Sequence, residues 1–238
     1  MSSPEAVRSM FGRIAGAYDR ANDLLSLGIH RNWKARLIRE ARLSPGLRIL
    51  DVATGTGDLA FRFASSPTQP SRVVGADFCA PMLDVARARQ LRQPSGSSIE
   101  FIEADALQLP FEPGSFDRVS CAFGVRNFAD PQAGLRELWR VLAPGGQLLV
   151  LEFGDWSTQG GVLGPFRWAA RKLMPGVGGA LSGDAAAYRY LFETSSVFPA
   201  GRRFIPWLEG LAGATEIHAK PLTGGVAWLY LARKPAGE

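Results

Sequence analysis

From Arg48 onward, short, largely apolar runs alternate with longer segments whose apolar residues recur every three or four positions. "RILDVAT" (48–54), "RVVGAD" (72–77), "IEFIEAD" (99–105), "FDRVSCAF" (116–123) and "QLLVLEF" (147–153) are runs of the first kind and read as strands. Helical patterns fall between them, from Asp58 to about Ala64, in "APMLDVARARQL" (80–91) and in "DPQAGLRELWRVL" (130–142). In the last, Asp130 is the expected N-cap and Pro131 the first helical residue. Pro144-Gly145-Gly146 then turns the chain back. Such alternation predicts an α/β fold built on a doubly wound, mostly parallel sheet. "ATEIHAKPL" (214–222) and "GGVAWLYLARK" (224–234) close the chain as a hairpin-like pair of strands.

Two regions break the alternation. Residues 1–43 look helical, with an irregular patch "YDRANDLLSLGIHRNW" (18–33) inserted, and residues 154–213, rich in Gly, Trp and Phe, read as several short helices. No internal repeat occurs. "SSPTQPS" (65–71) and "QPSGSS" (93–98) are turn-rich but too short for linkers, so 1–238 reads as a single domain.

Composition changes this picture little. With 238 residues, 46% of them hydrophobic, the chain can bury a core that needs no staples. No apolar run approaches the roughly 20 residues of a membrane span, and the first residues lack the apolar stretch of a secretory signal. Cys79 and Cys121 have no ligand-like spacing around them and read as small buried hydrophobes, which fits a reducing, cytoplasmic setting. The net charge of +5 is spread over scattered arginines rather than a basic stripe with stacking aromatics, so no nucleic-acid partner is expected. Attraction to anionic lipid head groups and simple solubility both fit that charge.

The candidate chemistry begins at "DVATGTGDLAFRF" (51–63). Residues 55–60 read G-T-G-D-L-A, a loose match to the dinucleotide fingerprint, and Asp77 lies 20 positions beyond Gly57, where an acid would accept from ribose hydroxyls. These features indicate an adenosine-bearing ligand without choosing between NAD and S-adenosylmethionine. A P-loop is excluded, because no Gly-Lys-Ser/Thr comes after the glycines. Three observations favour S-adenosylmethionine. Asp51, at the tip of the first strand, would repel a pyrophosphate but suits a cationic ligand. Asp105, at the tip of the third, can accept from an adenine amine while the Ala106 amide donates to a ring nitrogen. The sheet also ends in a strand pair rather than in a second βαβαβ half. Taken singly, Gly55 and Gly57 could merely form a turn, and Asp77 and Asp105 merely cap the segments after them. Together they sit on the edge where open α/β sheets bind ligands.

"YDRANDLLSLGIHRNWK" (18–34), "ILDVATGTGDL" (49–59), "FGVRNFAD" (123–130), "RVLAPGGQLLVLEF" (140–153) and "YRYL" (188–191) together resemble the ubiquinone/menaquinone biosynthesis C-methyltransferase family, from about Val7 to Lys234. The glycine loop and "LAPGG" are shared widely among class I methyltransferases; the N-terminal patch and "FG.RN" are more restrictive. The resemblance implies a class I methyltransferase fold with a seventh, antiparallel strand. It also implies methyl transfer from S-adenosylmethionine to a ring carbon of a lipophilic, prenylated quinol. Cofactor contacts carry over to Thr56, Asp77, Asp105 and Ala106, and the cofactor-binding set extends to Asp51, Thr54, Gly55, Gly57, Phe78 and Met82. A family serine just before "FG.RN" is Ala122 here, so only its backbone can serve. "SSVFPAGRRFIPWLEGLAGA" (195–214) looks closer to the phylloquinone-making branch. No metal is expected.

Methylating an aromatic carbon requires a deprotonated hydroquinol facing the sulfonium methyl, with water excluded. Arg126 is too basic to remove the proton but could steady the oxyanion, and Asn127 could bond the second ring oxygen. His30, with a reference pKa near 6.5, is the candidate base; a helix N-terminal residue packing on Trp33 is the other reading. Tyr18 and Asp19 could relay a proton or order a lid. His218 reads as structural. "VLGPFRWAARKLMPGVGG" (162–179) mixes aromatic and basic residues, as a peripheral membrane contact would and as a core helix with a basic face would. A benzoquinol substrate, another lipophilic phenol, and a scaffold that has lost catalysis are the competing readings.

Overall fold

The computed structural model describes residues 4–16, 18–26, 28–92, 99–154, 194 and 198–237. Three helices come first, α1 (Pro4–Ile14), α2 (Tyr18–Leu25) and α3 (Ile29–Glu40). Then β1 (Arg48–Val52), α4 (Asp58–Ala64), β2 (Arg72–Asp77), α5 (Ala80–Leu91) and β3 (Ile99–Glu103) alternate. The chain continues through β4 (Phe116–Ala122), α6 (Pro131–Val141), β5 (Leu142–Phe153), α7 (Ile205–Glu209), β6 (Thr215–Leu222) and β7 (Ala227–Arg233). The strands form one seven-stranded sheet in the order β3-β2-β1-β4-β5-β7-β6. The first five are parallel; β7 runs antiparallel to both β5 and β6.

Across β1, β2, β4, β5 and β7 the sheet is largely buried on both faces, which is why most of these strands read as apolar runs, whereas the edge strands β3 and β6 are partly exposed. On one face Leu50, Val74, Val119, Val150 and Tyr230 meet Leu135, Leu138 and Trp139 of α6 and Phe204 and Leu208 near α7. On the other, Ile49, Val73, Leu149, Leu229 and Leu231 meet Trp33 and Leu37 of α3 and Phe61 and Phe63 of α4. A smaller cluster seats Val7, Met10, Phe11 and Ile14 of α1 on Met82 of α5. Asp130 caps α6 as expected, accepting from the amides of Gln132 and Ala133. Cys79 and Cys121 are buried free thiols.

Three details differ from the sequence reading. The patch 18–33 is helical over most of its length: α2 and the start of α3 occupy it, separated near Gly28, whose φ is +73°. Its many Asn, Asp and Ser side chains disguised a helix pair. The third strand ends at Glu103, so Asp105 lies in the turn beyond it. Pro144-Gly145-Gly146 is a bulge inside a longer β5, since Leu142 pairs with Phe116 before the register resumes at Gln147–Arg118. Of the excursion 154–213, the described part holds a 3₁₀ turn (Gly201–Phe204) and α7; the rest, including 162–179 and "YRYL", lies outside the described residues. No helix among the described residues is long and apolar enough to cross a membrane.

Candidate active site

The carboxyl ends of β1, β2 and β4 and the turn after β3 open onto one cavity of ≈ 200 Å³, closed from the other side by α2 and α3. Backbone strain gathers at its floor. Ala53 and Phe123, just past β1 and β4, hold φ of +54° and +59°, values that side chains rarely accept. The two tips approach so closely that a Cβ on Gly124 would stand 2.5 Å from that of Ala53. That contact explains the glycine of "FGVRN". Gly55 and Thr56 line the cavity, as does Thr54 before them. Gly57 does not. With φ of +80° it turns the chain into α4, and a Cβ there would meet the Phe101 ring at 2.9 Å.

Two buried carboxylates dominate the cofactor half. Asp51 accepts from Thr54 Oγ1 and Ser120 Oγ, each at 2.7 Å; Ser120 is its register partner on β4. Asp77 accepts from the amides of Gly55 at 2.8 Å and Cys79 at 2.9 Å. Burial pushes both pKa values up to about 6, against the pull of those hydrogen bonds. The partners are hydroxyls and amides, so neither charge is cancelled by a hydrogen-bonded cation. Asp105 is exposed, and its Oδ1 accepts from the Leu107 amide at 2.9 Å. It therefore caps its own turn while facing the cavity, beside Ala106. Phe78, Met82 and Ala122 complete this wall.

The N-terminal helices contribute polar groups from above. Thr56 Oγ1 donates to Asp19 Oδ1 at 2.7 Å, which ties α2 to the glycine loop, and Tyr18 lines the cavity beside it. His30 is buried on α3 and also lines the cavity. Ser26 Oγ lies 2.6 Å from both the Asn22 carbonyl and His30 Nδ1. A carbonyl can only accept, so the single hydroxyl proton of Ser26 goes to Asn22 and His30 Nδ1–H must donate to Ser26. The network thus assigns the lone pair to Nε2, which faces Asp23 Oδ1 at 3.6 Å. Burial, then Lys34, lowers the His30 pKa and keeps the ring neutral.

The other half is aromatic. Trp33, Phe123 and Phe153 line it with ring centroids 4.5 to 6.2 Å apart. Arg126 stands over Phe153 at 5.1 Å. Its charge is already paired within the protein. Its Nη1 lies 2.6 Å from Glu152 Oε2, with side chains 2% and 0% exposed. The pair is neutral overall, so Arg126 offers directed N–H groups rather than net charge. Arg126 Nε and Asn127 Oδ1 are buried with no hydrogen-bond partner among the described residues. Each also belongs to a residue that lines the cavity. Glu152 and the aromatic wall escaped the sequence reading. One signal was present: a lone glutamate in "QLLVLEF" must find a partner once both sheet faces are buried.

The family model of the ubiE/COQ5 methyltransferase family matches residues 1–234. The chain belongs to this family. It is 43% identical to a demethylmenaquinone methyltransferase of Deinococcus radiodurans, over 97% of this chain and 93% of that one. A protein of the same name from Thermus thermophilus is also 43% identical, over 95% and 100%. A ubiquinone/menaquinone biosynthesis C-methyltransferase of Bdellovibrio bacteriovorus is 38% identical, over 96% and 95%. Among solved structures, a SAM-dependent methyltransferase of Thermotoga maritima superposes with a TM-score of 0.64 at 18% identity, covering 96% of this chain and 99% of that one. The fold is that of class I S-adenosylmethionine-dependent methyltransferases. The cavity suits that cofactor, because buried carboxylates with no hydrogen-bonded cation, at neighbouring strand tips, match a ligand that carries two cationic centres and a ribose. Among the described residues, no cluster of His, Cys, Asp or Glu is placed to hold a metal ion.

Proposed function

We propose that this ubiE/COQ5 family member methylates a ring carbon of a prenylated or phytylated quinol, most simply a demethylmenaquinol or demethylphylloquinol, in quinone biosynthesis. One observation carries the reading: a wall of carboxylates and a box of aromatic rings share a single cavity, with unpartnered Arg126 Nε and Asn127 Oδ1 belonging to its lining residues. S-adenosylmethionine supplies an electrophilic methyl when bound. Asp51 and Thr54 to Thr56 would hold its methionine part, Asp77 its ribose, and Asp105 and Ala106 its base, flanked by Phe78, Met82 and Ala122. Trp33, Phe123 and Phe153 would clamp the flat ring. Arg126 Nε–H donates to a ring oxygen as negative charge develops there, and Asn127 Oδ1 accepts from a ring hydroxyl, a bond that only the reduced ring can make. His30 Nε2 takes the phenolic proton, and Asp23 steadies the imidazolium; once the ring carbon carries the methyl, its hydrogen leaves as a proton and the ring oxygen regains one, which restores the aromatic quinol with one proton released overall. Holding both reactants in line contributes on the order of 7–11 kcal/mol.

Residues 1–43 act as a lid, with Asp19–Thr56 as its latch. The names of the Deinococcus and Thermus relatives support a naphthoquinol, and the likeness of 195–214 to the phylloquinone branch supports a phytyl tail. The enzyme meets that tail at the membrane face from the cytoplasm, through 162–179; flotation with anionic liposomes tests this, and protein left wholly in solution counts against it. Initial rates with reduced demethylated naphthoquinones and benzoquinones test the ring. Faster naphthoquinol turnover is expected, and a benzoquinol preference would move the assignment to the ubiquinone pathway.

A further inference from the structure

Five aspartates line the cavity: Asp19, Asp51, Asp58, Asp77 and Asp105. They suit the ammonium, the sulfonium and the ribose hydroxyls of S-adenosylmethionine. The α-carboxylate of the cofactor has the opposite sign and needs a cation among them. Basic groups on the described lining are Lys34, Arg126 and His30. Arg126 is engaged by the buried Glu152. His30 is kept neutral by burial. Lys34 remains.

Lys34 projects from α3, with Nζ 2.9 Å from Asp58 Oδ2 and only 14% of its side chain exposed. Asp58 does not cancel it. Arg62 Nε and Arg89 Nη2 lie 3.5 and 3.6 Å from the other oxygen of the same carboxylate, so one anion faces three cations and positive charge is left over. An ammonium has three N–H groups, and among the described residues only Asp58 accepts from this one. Position matters as much as charge. Asp105 comes after β3, Asp77 ends β2 and Asp58 directly succeeds the glycine loop after β1, and these strands are neighbours in that order. A cofactor with its base at Asp105 and its ribose at Asp77 therefore carries its methionine end toward Asp51 and Lys34. Those two side chains are near enough that Lys34 lowers the pKa of Asp51. An α-amino acid bears an ammonium and a carboxylate on one carbon, and Asp51 with Lys34 is the complementary pair.

We propose that Lys34 anchors the α-carboxylate of S-adenosylmethionine, and that Asp58, pinned by Arg62 and Arg89, positions the Lys34 ammonium. Calorimetry on the full chain tests this with three ligands: S-adenosylmethionine, its decarboxylated form, and 5′-methylthioadenosine, which lacks the amino-acid end. The wild-type protein is expected to bind the first about tenfold or more tighter than the second, the scale of a charge-assisted hydrogen bond. Lys34→Gln should lose about that factor for S-adenosylmethionine while binding the other two within about twofold of wild type. Lys34→Arg should keep most of the affinity. Equal weakening of all three ligands would make Lys34 a structural residue and overturn the proposal, as would unchanged S-adenosylmethionine binding. Should Lys34→Gln fail to fold, equal wild-type affinity for the first two ligands would overturn it as well.

Discussion

Arg126 and Glu152 form a buried ion pair, 2.6 Å between Nη1 and Oε2, that joins the turn after β4 to β5. Neither charge reaches solvent, so each depends on the other, and removing one strands its partner in the interior. Glu152→Ala should therefore lower stability by about 3–5 kcal/mol. It should also reduce methylation by about 10²-fold, because Arg126 Nε loses its orientation. The double substitution Arg126→Met, Glu152→Met should recover the melting temperature without recovering turnover. Thermal melts and initial rates check both; a double variant with wild-type turnover would remove the pair from the chemistry.

Asp51 and Asp77 give the cofactor site a pH signature. Their folded pKa values, about 6, lie above the unfolded value of 3.8. Their contribution to stability is therefore fully present below the unfolded value and lost as pH rises through about 6. Cofactor binding needs the charged forms, so affinity should fall as pH drops below about 6. Asp51→Asn should make the ligand-free protein more stable above that range by about 1–3 kcal/mol and bind S-adenosylmethionine more weakly. Melts with and without cofactor across pH read both effects; a destabilised Asp51→Asn protein would mean that its hydroxyl contacts outweigh the cost of the buried charge.

His30 should carry its proton on Nδ1, the less common tautomer, because Ser26 has already given its own to Asn22. With His218→Gln removing the other histidine, the ¹⁵N shifts of one imidazole report the tautomer directly. Ser26→Ala should release it and lower turnover, and His30→Ala should lower turnover while leaving cofactor affinity intact. An Nε2–H tautomer in the wild type, or full activity in His30→Ala, would remove the base assignment.

Much of the architecture was legible because most parallel strands read as apolar runs and the helices between them show their period; Arg72–Asp77 and Ala80–Leu91 match the sequence reading residue for residue, and Asp58–Ala64 matches its approximate bounds. The glycine loop and Asp77 were legible because their positions are set by local spacing. Three things were not. The α2–α3 pair hid behind polar residues that turn out to bond one another, as Ser26 does with His30. Glu152 lies 26 positions from Arg126, and nothing local links them. Lys34 meets Asp58 only because α3 folds back over α4. Long-range pairing decides such contacts, and a periodic pattern carries no record of it.

The proposed chemistry turns on one cavity that brings a methyl donor to a reduced ring. Single-turnover transfer of a labelled methyl from S-adenosylmethionine to a demethylated naphthoquinone, with the product's methyl position read by NMR, tests that most directly. Label is expected on a ring carbon, only when the ring is reduced, and should be lost in Arg126→Met with cofactor affinity unchanged. Label on a ring oxygen, or equal transfer to the oxidised ring, would contradict it.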